Sequence, residues 1–278
     1  MPGGGDEIEV QMNPAANDMI DPAVGQELIK VFGLVDDWFV RSQQEQASPA
    51  PGSSLAGDDK ASDPYPVSAA ATSVLISAVN HIHAVRTLIV EAKKVHPNAP
   101  LTLLRGALEN AATAVWLLAP KSRDTRVLRR LRLEYANAWN QEQARILTQA
   151  PGGRSLDERR QRLQDMARTR GLSPDQVSQV AARVVGFRAI VREAATDVPG
   201  RDPELAEFIW MVCSGIAHAQ TWATIAASDL TRIGQASPTV SEVRLTTNDQ
   251  YLLGAAQITA VMIRDGWQYY DRAVACHR

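Results

Sequence analysis

The sequence predicts an all-α protein, a multi-helix bundle of seven to nine helices with no substantial sheet. Three observations carry that expectation. Apolar residues recur at helical spacing over most of the chain, caps and prolines mark several helix starts, and strand-like alternation is confined to Thr239–Thr246. The 278 residues are 45% hydrophobic and 22% charged, with a net charge of -2, enough for one large core or two small ones. That composition excludes a disordered chain, a collagen-like repeat and a disulfide scaffold. No continuous apolar run approaches the roughly 18 residues of a membrane-spanning helix.

The elements follow in order. Residues 1–66 read as an acidic N-terminal arm and 67–278 as the helical-bundle domain. In the arm, Asp21 and Pro22 supply a cap and a first-turn proline, and Val24, Leu28, Val31, Val35 and Trp38 repeat at helical spacing, so a helix is expected over 22–44. Residues 45–66 hold four prolines, two glycines and the isolated Leu55, too little apolar surface to offset ordering entropy, which predicts a flexible linker. A second helix is expected over 67–95, ended by Pro97 and Pro100, and a third over 100–119, ended by Pro120. The next runs from Ser122 to the Pro151-Gly152-Gly153 break. Capping boxes at Ser155/Glu158, Ser173/Gln176 and Thr247/Gln250 mark three more starts, and Asp202-Pro203 opens a helix reaching about Ser228. The last helix is expected to end near Cys276. Thr239–Thr246 has no evident strand partner and reads as a loop.

Charge is segregated along the chain. Residues 1–63 carry 12 acids against 3 bases, and residues 121–170 carry 13 bases against 6 acids. Arg126, Arg129 and Arg130 stand out as a basic patch that could face an anionic partner or match the acidic arm. Two cysteines without metal-type spacing, and no secretory signal in the opening residues, point to a reducing cytoplasm. The 41 alanines, and 24 arginines against 5 lysines, suggest a GC-rich bacterial source.

Polar residues interrupt helices that are otherwise apolar. Arg105 and Glu109 lie one turn apart in 101–118, and Ser214 and His218 one turn apart in 205–227. Four such residues on two central helices should share one network, because an unpaired buried charge costs several kcal/mol. They are the candidate catalytic residues. Asn80, His83 and Arg86 form a further polar seam on the 67–95 helix. A mid-helix Ser214 lacks free backbone N–H groups to hold an oxyanion, which argues against a serine hydrolase. No His or Cys spacing suits a metal, and no glycine-rich loop suits a phosphate-bearing cofactor, so neither metal nor cofactor is expected.

The run Leu103-Leu104-Arg105-Gly106-Ala107-Leu108-Glu109-Asn110-Ala111-Ala112, followed by Cys213-Ser214-Gly215-Ile216-Ala217-His218, resembles a pattern in bacterial all-helical proteins of unknown function: an Arg-x-x-x-Glu helix before a Ser-x-x-x-His helix. More distantly it resembles the HEPN superfamily, whose members are ribonuclease toxins, defence proteins or inactive binding modules. Where that family's nuclease motif carries Arg ahead of His, this chain has Met211, Val212 and Cys213. Two functions of different class follow. The favoured one is a noncatalytic bundle that binds a protein or small-molecule partner. The alternative, implied by the resemblance, is a HEPN-like ribonuclease using Arg105, Glu109, Ser214 and His218. RNA is the less favoured partner, no membrane is expected, and a homodimer is compatible with the sequence.

Overall fold

The computed structural model describes residues 20–46, 48–237 and 240–276. It is mostly helical, at 72%, with eleven helices and one two-stranded sheet among the described residues, against the seven to nine helices expected. The helices are α1 (Pro22–Ser42), α2 (Ser54–Ser62), α3 (Val67–Arg86), α4 (Ala99–Leu118), α5 (Arg123–Thr148), α6 (Leu156–Thr169), α7 (Pro174–Gln179), α8 (Phe187–Asp197), α9 (Pro203–Ala217), α10 (Thr221–Ala226) and α11 (Asp249–Val274). The strands are β1 (Ser228–Ser237) and β2 (Val240–Thr247), and a π-helical turn over Thr87–Glu91 follows α3.

Four local expectations are corrected. The stretch expected to be a flexible linker contains α2: Ser53 accepts the Ala56 N–H (3.1 Å), and Leu55 and Asp58 are fully buried. Tertiary burial of an aspartate, invisible to a count of apolar residues, orders it. The helix expected to reach Ser228 breaks into α9 and α10, because Ala219 adopts φ 52° and the Gln220 N–H closes back on the Gly215 carbonyl (2.8 Å). Residues expected to be a loop pair instead with 228–237 in an antiparallel hairpin, Leu230 opposite Leu245 and Thr231 opposite Arg244. Thr239 itself lies outside the described residues. Finally, α11 is capped by Asn248, whose Oδ1 accepts the Tyr251 N–H (2.8 Å), while Thr247 turns its hydroxyl to the Pro97 carbonyl (3.4 Å).

The chain divides into two compact units. The first comprises the described residues within 1–41, 79–108 and 208–261, and the second those within 42–78, 109–207 and 262–278. In the first, α1 buries Val24, Leu28, Val31 and Val35 of the expected stripe together with Phe32, while Trp38, also expected in it, is only half-buried. Its far end is fixed by Phe39 stacked on His83, with centroids 3.7 Å apart, and by Asp36 paired with Arg86 (2.7 Å). In the second unit, α5, α6 and α7 enclose an apolar cluster that includes Leu131, Tyr135, Leu163, Ala167, Val177 and Val180. Full burial of a side chain such as Leu163 contributes about 1.5–3 kcal/mol, which seats α6 along α5.

Among the described residues one helical stretch, Val67–Glu91, is long and apolar enough to span a membrane by length and composition. The absence of any such stretch was expected from continuous runs alone. Its serines and threonines, with Asn80, His81, His83 and Arg86, interrupt the run without making the helix polar as a whole.

Candidate functional site

The residues singled out by sequence divide between the two units. In the first, α4 and α9 bring together one pair: Arg105 Nη1 lies 3.4 Å from His218 Nε2. The Arg105 guanidinium also stands over the Trp210 indole, 5.9 Å from its centroid. His218 is exposed just beyond the end of α9. Gly215 makes that end possible. A Cβ there would lie 2.4 Å from the Ala223 methyl, so only glycine allows α10 to fold back so tightly.

The groups near this pair are poorly placed for catalysis. Burial pushes the Cys213 thiol up to about 12, with Arg105 pulling weakly the other way, so at neutral pH it is a protonated, inert thiol. Burial likewise raises the Tyr251 phenol, with Cys213 adding to the shift, and its hydroxyl has no hydrogen-bond partner among the described residues. Ser214 sits within α9, its carbonyl accepting the His218 N–H (3.2 Å), so no backbone donors surround its hydroxyl. Glu109 belongs to the second unit, where it is buried and its carbonyl accepts the Thr113 hydroxyl (2.7 Å).

The polar seam splits into packing roles. His83 carries Phe39, Arg86 pairs with Asp36 and Glu91, and Asn80 is exposed. Among the described residues no three metal-ligating side chains converge.

The expected basic patch is not a free surface. Arg126 is buried and donates to Asp58 from Nε (2.6 Å) and Nη2 (2.9 Å), to the Pro120 and Lys121 carbonyls (2.7 and 3.0 Å), and to Ser54 (2.9 Å). Arg129 pairs with Asp197 (2.5 Å), donates to the Trp116 carbonyl (2.7 Å) and lies over the Trp116 indole. Arg130 pairs with Glu134 (3.2 Å) and stands over the Tyr65 ring. Each guanidinium is neutralised internally because the helical period turns it towards an acid of the same unit. A linear count of charge does not show this.

A group of cationic side chains facing an open cleft lies one helix further on. A cleft of about 260 Å³ between α5 and α6 is lined by Arg154, Arg159 and Arg162, with Glu134, Gln141 and an apolar floor of Ala138 and Leu163, and with Tyr65 beside it. Local sequence builds it. Gly152 and Gly153 adopt φ 86° and 95°, turning the chain sharply after α5 and returning Arg154 to the cleft. The Ser155/Glu158 capping box then starts α6: the Ser155 N–H donates to Glu158 (2.7 Å) and the Glu158 N–H to the Ser155 hydroxyl (3.2 Å). The Ser155 N–H, and after it the Ser155 hydroxyl (3.1 Å), donate to the Glu158 carboxylate and hold it below the usual carboxylate range. Arg159 and Arg162, three apart, share one face of α6 above the buried Leu163.

Arg159 is held in place, donating Nε to the Arg154 carbonyl (3.1 Å) and Nη1 to Gln141 Oε1 (2.6 Å). Arg154 and Arg162 make no side-chain hydrogen bond or ion pair among the described residues. The nearby acids are engaged: Glu134 by Arg130, and Glu142 by two bonds from Arg145 that hold its carboxyl below the usual range. The cleft is therefore a set of converging cationic donors over an apolar floor. In sequence, Pro151-Gly152-Gly153 reads only as a break and the capping box only as a start; the i, i+3 spacing of Arg159 and Arg162 is the signal that points to the cleft. No family model, curated protein or solved structure matches the chain.

Proposed function

We propose that this chain is a noncatalytic helical-bundle protein that binds a small-molecule partner in the cleft between α5 and α6, in the reducing cytoplasm of a bacterium. One observation carries the reading: Arg154, Arg159 and Arg162 line an open cleft of about 260 Å³ whose neighbouring acids are already paired. That volume lies just below the usual ligand-pocket range of about 300–1,000 Å³, which limits the occupant to a compact molecule, and a few polar groups over apolar walls are what such pockets present. The protonated Cys213 and the mid-helix Ser214 favour binding over covalent chemistry. Equilibrium dialysis against a bacterial metabolite extract, followed by mass spectrometry, tests it. The wild type should retain at least one compound that Gln141→Trp, which fills the cleft from its rim, does not retain. Retention of nothing by the wild type, or of the same compounds by both proteins, would refute the reading.

The contact between Arg105 and the exposed His218 favours a second reading, a HEPN-like ribonuclease or toxin/defence protein. There His218 would transfer the proton and Arg105 would face the phosphate. Cleavage of single-stranded RNA by the wild type, lost in His218→Ala and Arg105→Ala, would support it. A wild type that leaves the RNA intact would end it.

A further inference from the structure

We propose that the occupant of the α5–α6 cleft is a small phosphate monoester whose dianion is held by Arg154, Arg159 and Arg162 while its organic body lies along the floor beside Tyr65. This rests on the small-molecule reading above and adds the ligand's chemical class.

The charge count selects the class. Three guanidiniums line the cleft, and the one carboxylate among its lining residues, Glu134, is already paired with Arg130. Glu142 near Arg159 and Glu158 near Arg154 offset part of their repulsion, but both carboxylates are held by other donors; a neutral ligand would leave the remainder standing, and a monocarboxylate would relieve less of it than a dianion. A phosphate monoester carries close to two negative charges at neutral pH on three strong acceptor oxygens. Guanidinium forks match those oxygens in pairs.

The geometry divides the labour. Arg159 is preorganised by its bonds to Gln141 and the Arg154 carbonyl, so little side-chain entropy is lost when it meets an anion. Arg162 and Arg154 bring charge whose hydrogen-bonding capacity no described residue uses. Arg162 is exposed on a helix seated by buried Leu163, so its backbone is rigid while its head group is free to close. Ala138 and Leu163 form the apolar floor, and Tyr65 adds an aromatic wall on which a ring can pack. The cleft's small volume suits a compact monoester, whereas a polynucleotide would need a groove continuing past it.

Isothermal titration calorimetry of the full chain at low salt tests the assignment. The probes are adenosine monophosphate, adenosine, inorganic phosphate and a ten-nucleotide RNA. The variants are Arg162→Gln, Arg154→Gln with Arg162→Gln, and Arg168→Gln, a control whose charge is paired with Asp165 outside the cleft. Adenosine monophosphate should bind at least tenfold more tightly than adenosine, and at least tenfold more weakly to Arg162→Gln. Binding to the double variant should be lost, with Arg168→Gln like the wild type. The cleft variants should keep the wild-type melting temperature, because the Arg154 and Arg162 side chains make no hydrogen bond or ion pair among the described residues, and Arg168→Gln should stay close to it, because an exposed pair contributes little. The assignment is overturned if neither adenosine monophosphate nor inorganic phosphate binds, or if Arg162→Gln binds as the wild type does. It is overturned in favour of nucleic acid if the RNA binds and the monophosphate does not. If dialysis retains a compound but phosphate does not compete with it, the small-molecule reading stands and the phosphate assignment falls.

Discussion

Removing the Asp58 carboxylate isolates the energetics of an ion pair buried on both sides. Asp58 is fully buried and accepts from Arg126 at 2.6 and 2.9 Å, and from the more exposed Arg123 at 3.2 Å. Breaking such a pair from one side costs about 3–5 kcal/mol, because the remaining charge is left uncompensated. Arg126 would keep three acceptors, the Pro120 and Lys121 carbonyls and the Ser54 hydroxyl. Asp58→Ala should therefore fall at the lower end, about 3 kcal/mol. Asp58→Asn keeps one neutral acceptor and should cost about 2 kcal/mol. Urea unfolding followed by far-ultraviolet circular dichroism reads this. With a slope of about 3 kcal/mol/M, Asp58→Ala should lower the midpoint by about 1 M. Adding Arg126→Met should restore part of that loss, since the stranded charge goes with it. A midpoint for Asp58→Ala within about 0.2 M of wild type, or strictly additive losses in the double variant, would refute the argument.

Three other outcomes are expected. At pH 8 a disulfide-exchange reagent should label one thiol rapidly in the native protein, the exposed Cys276, and Cys213 only after unfolding; a fast reaction in Cys276→Ser would contradict the burial that pushes Cys213 up to about 12. Glu207 is held below the usual carboxylate range by hydrogen bonds from Arg192 and then Arg188, at 2.5 Å each, so its contribution to stability is full above the unfolded value of about 4.3 and fades as pH falls through the lower folded value. Carbon-detected NMR titration should place its midpoint below 4.3, and a midpoint at or above that value would refute the pairing. Gly215→Ala should destabilise by about 1–3 kcal/mol, because its new methyl meets Ala223 at 2.4 Å and α10 must move. Gly57→Ala meets only the flexible end of Arg123 and should cost far less, so equal losses in thermal unfolding would refute the distinction.

Helix starts were legible wherever the signal is local. Asp21-Pro22, Ser155, Ser173 and Asp202-Pro203 each open a helix at or next to the position their caps indicate, since a side-chain oxygen satisfies an early N–H within one turn. The buried stripe of α1 was legible because burial follows the 3.6-residue period. The pairing of Arg105 with His218 was legible in part, as two apolar helices each carrying a polar residue. The α5–α6 cleft was not, although its pieces were all visible: a glycine pair, a capping box and two arginines three apart.

By itself, then, the sequence determined that the chain is mostly helical, where many of its helices begin, and that its charge is segregated. These properties depend on neighbours a few residues away. Tertiary structure decided the rest. It ordered α2 through an ion pair 68 residues apart in sequence, joined two polar-rich stretches as a hairpin, and broke one apolar helix where Gly215 lets the chain turn back on itself. It also decided which arginines are spent: Arg126, Arg129 and Arg130 form ion pairs with acids inside the fold, while Arg154 and Arg162 form no ion pair among the described residues. Neutralisation is a matter of distance in space, because Coulomb attraction falls with separation and with solvent between the charges, and a linear chain specifies neither until it folds.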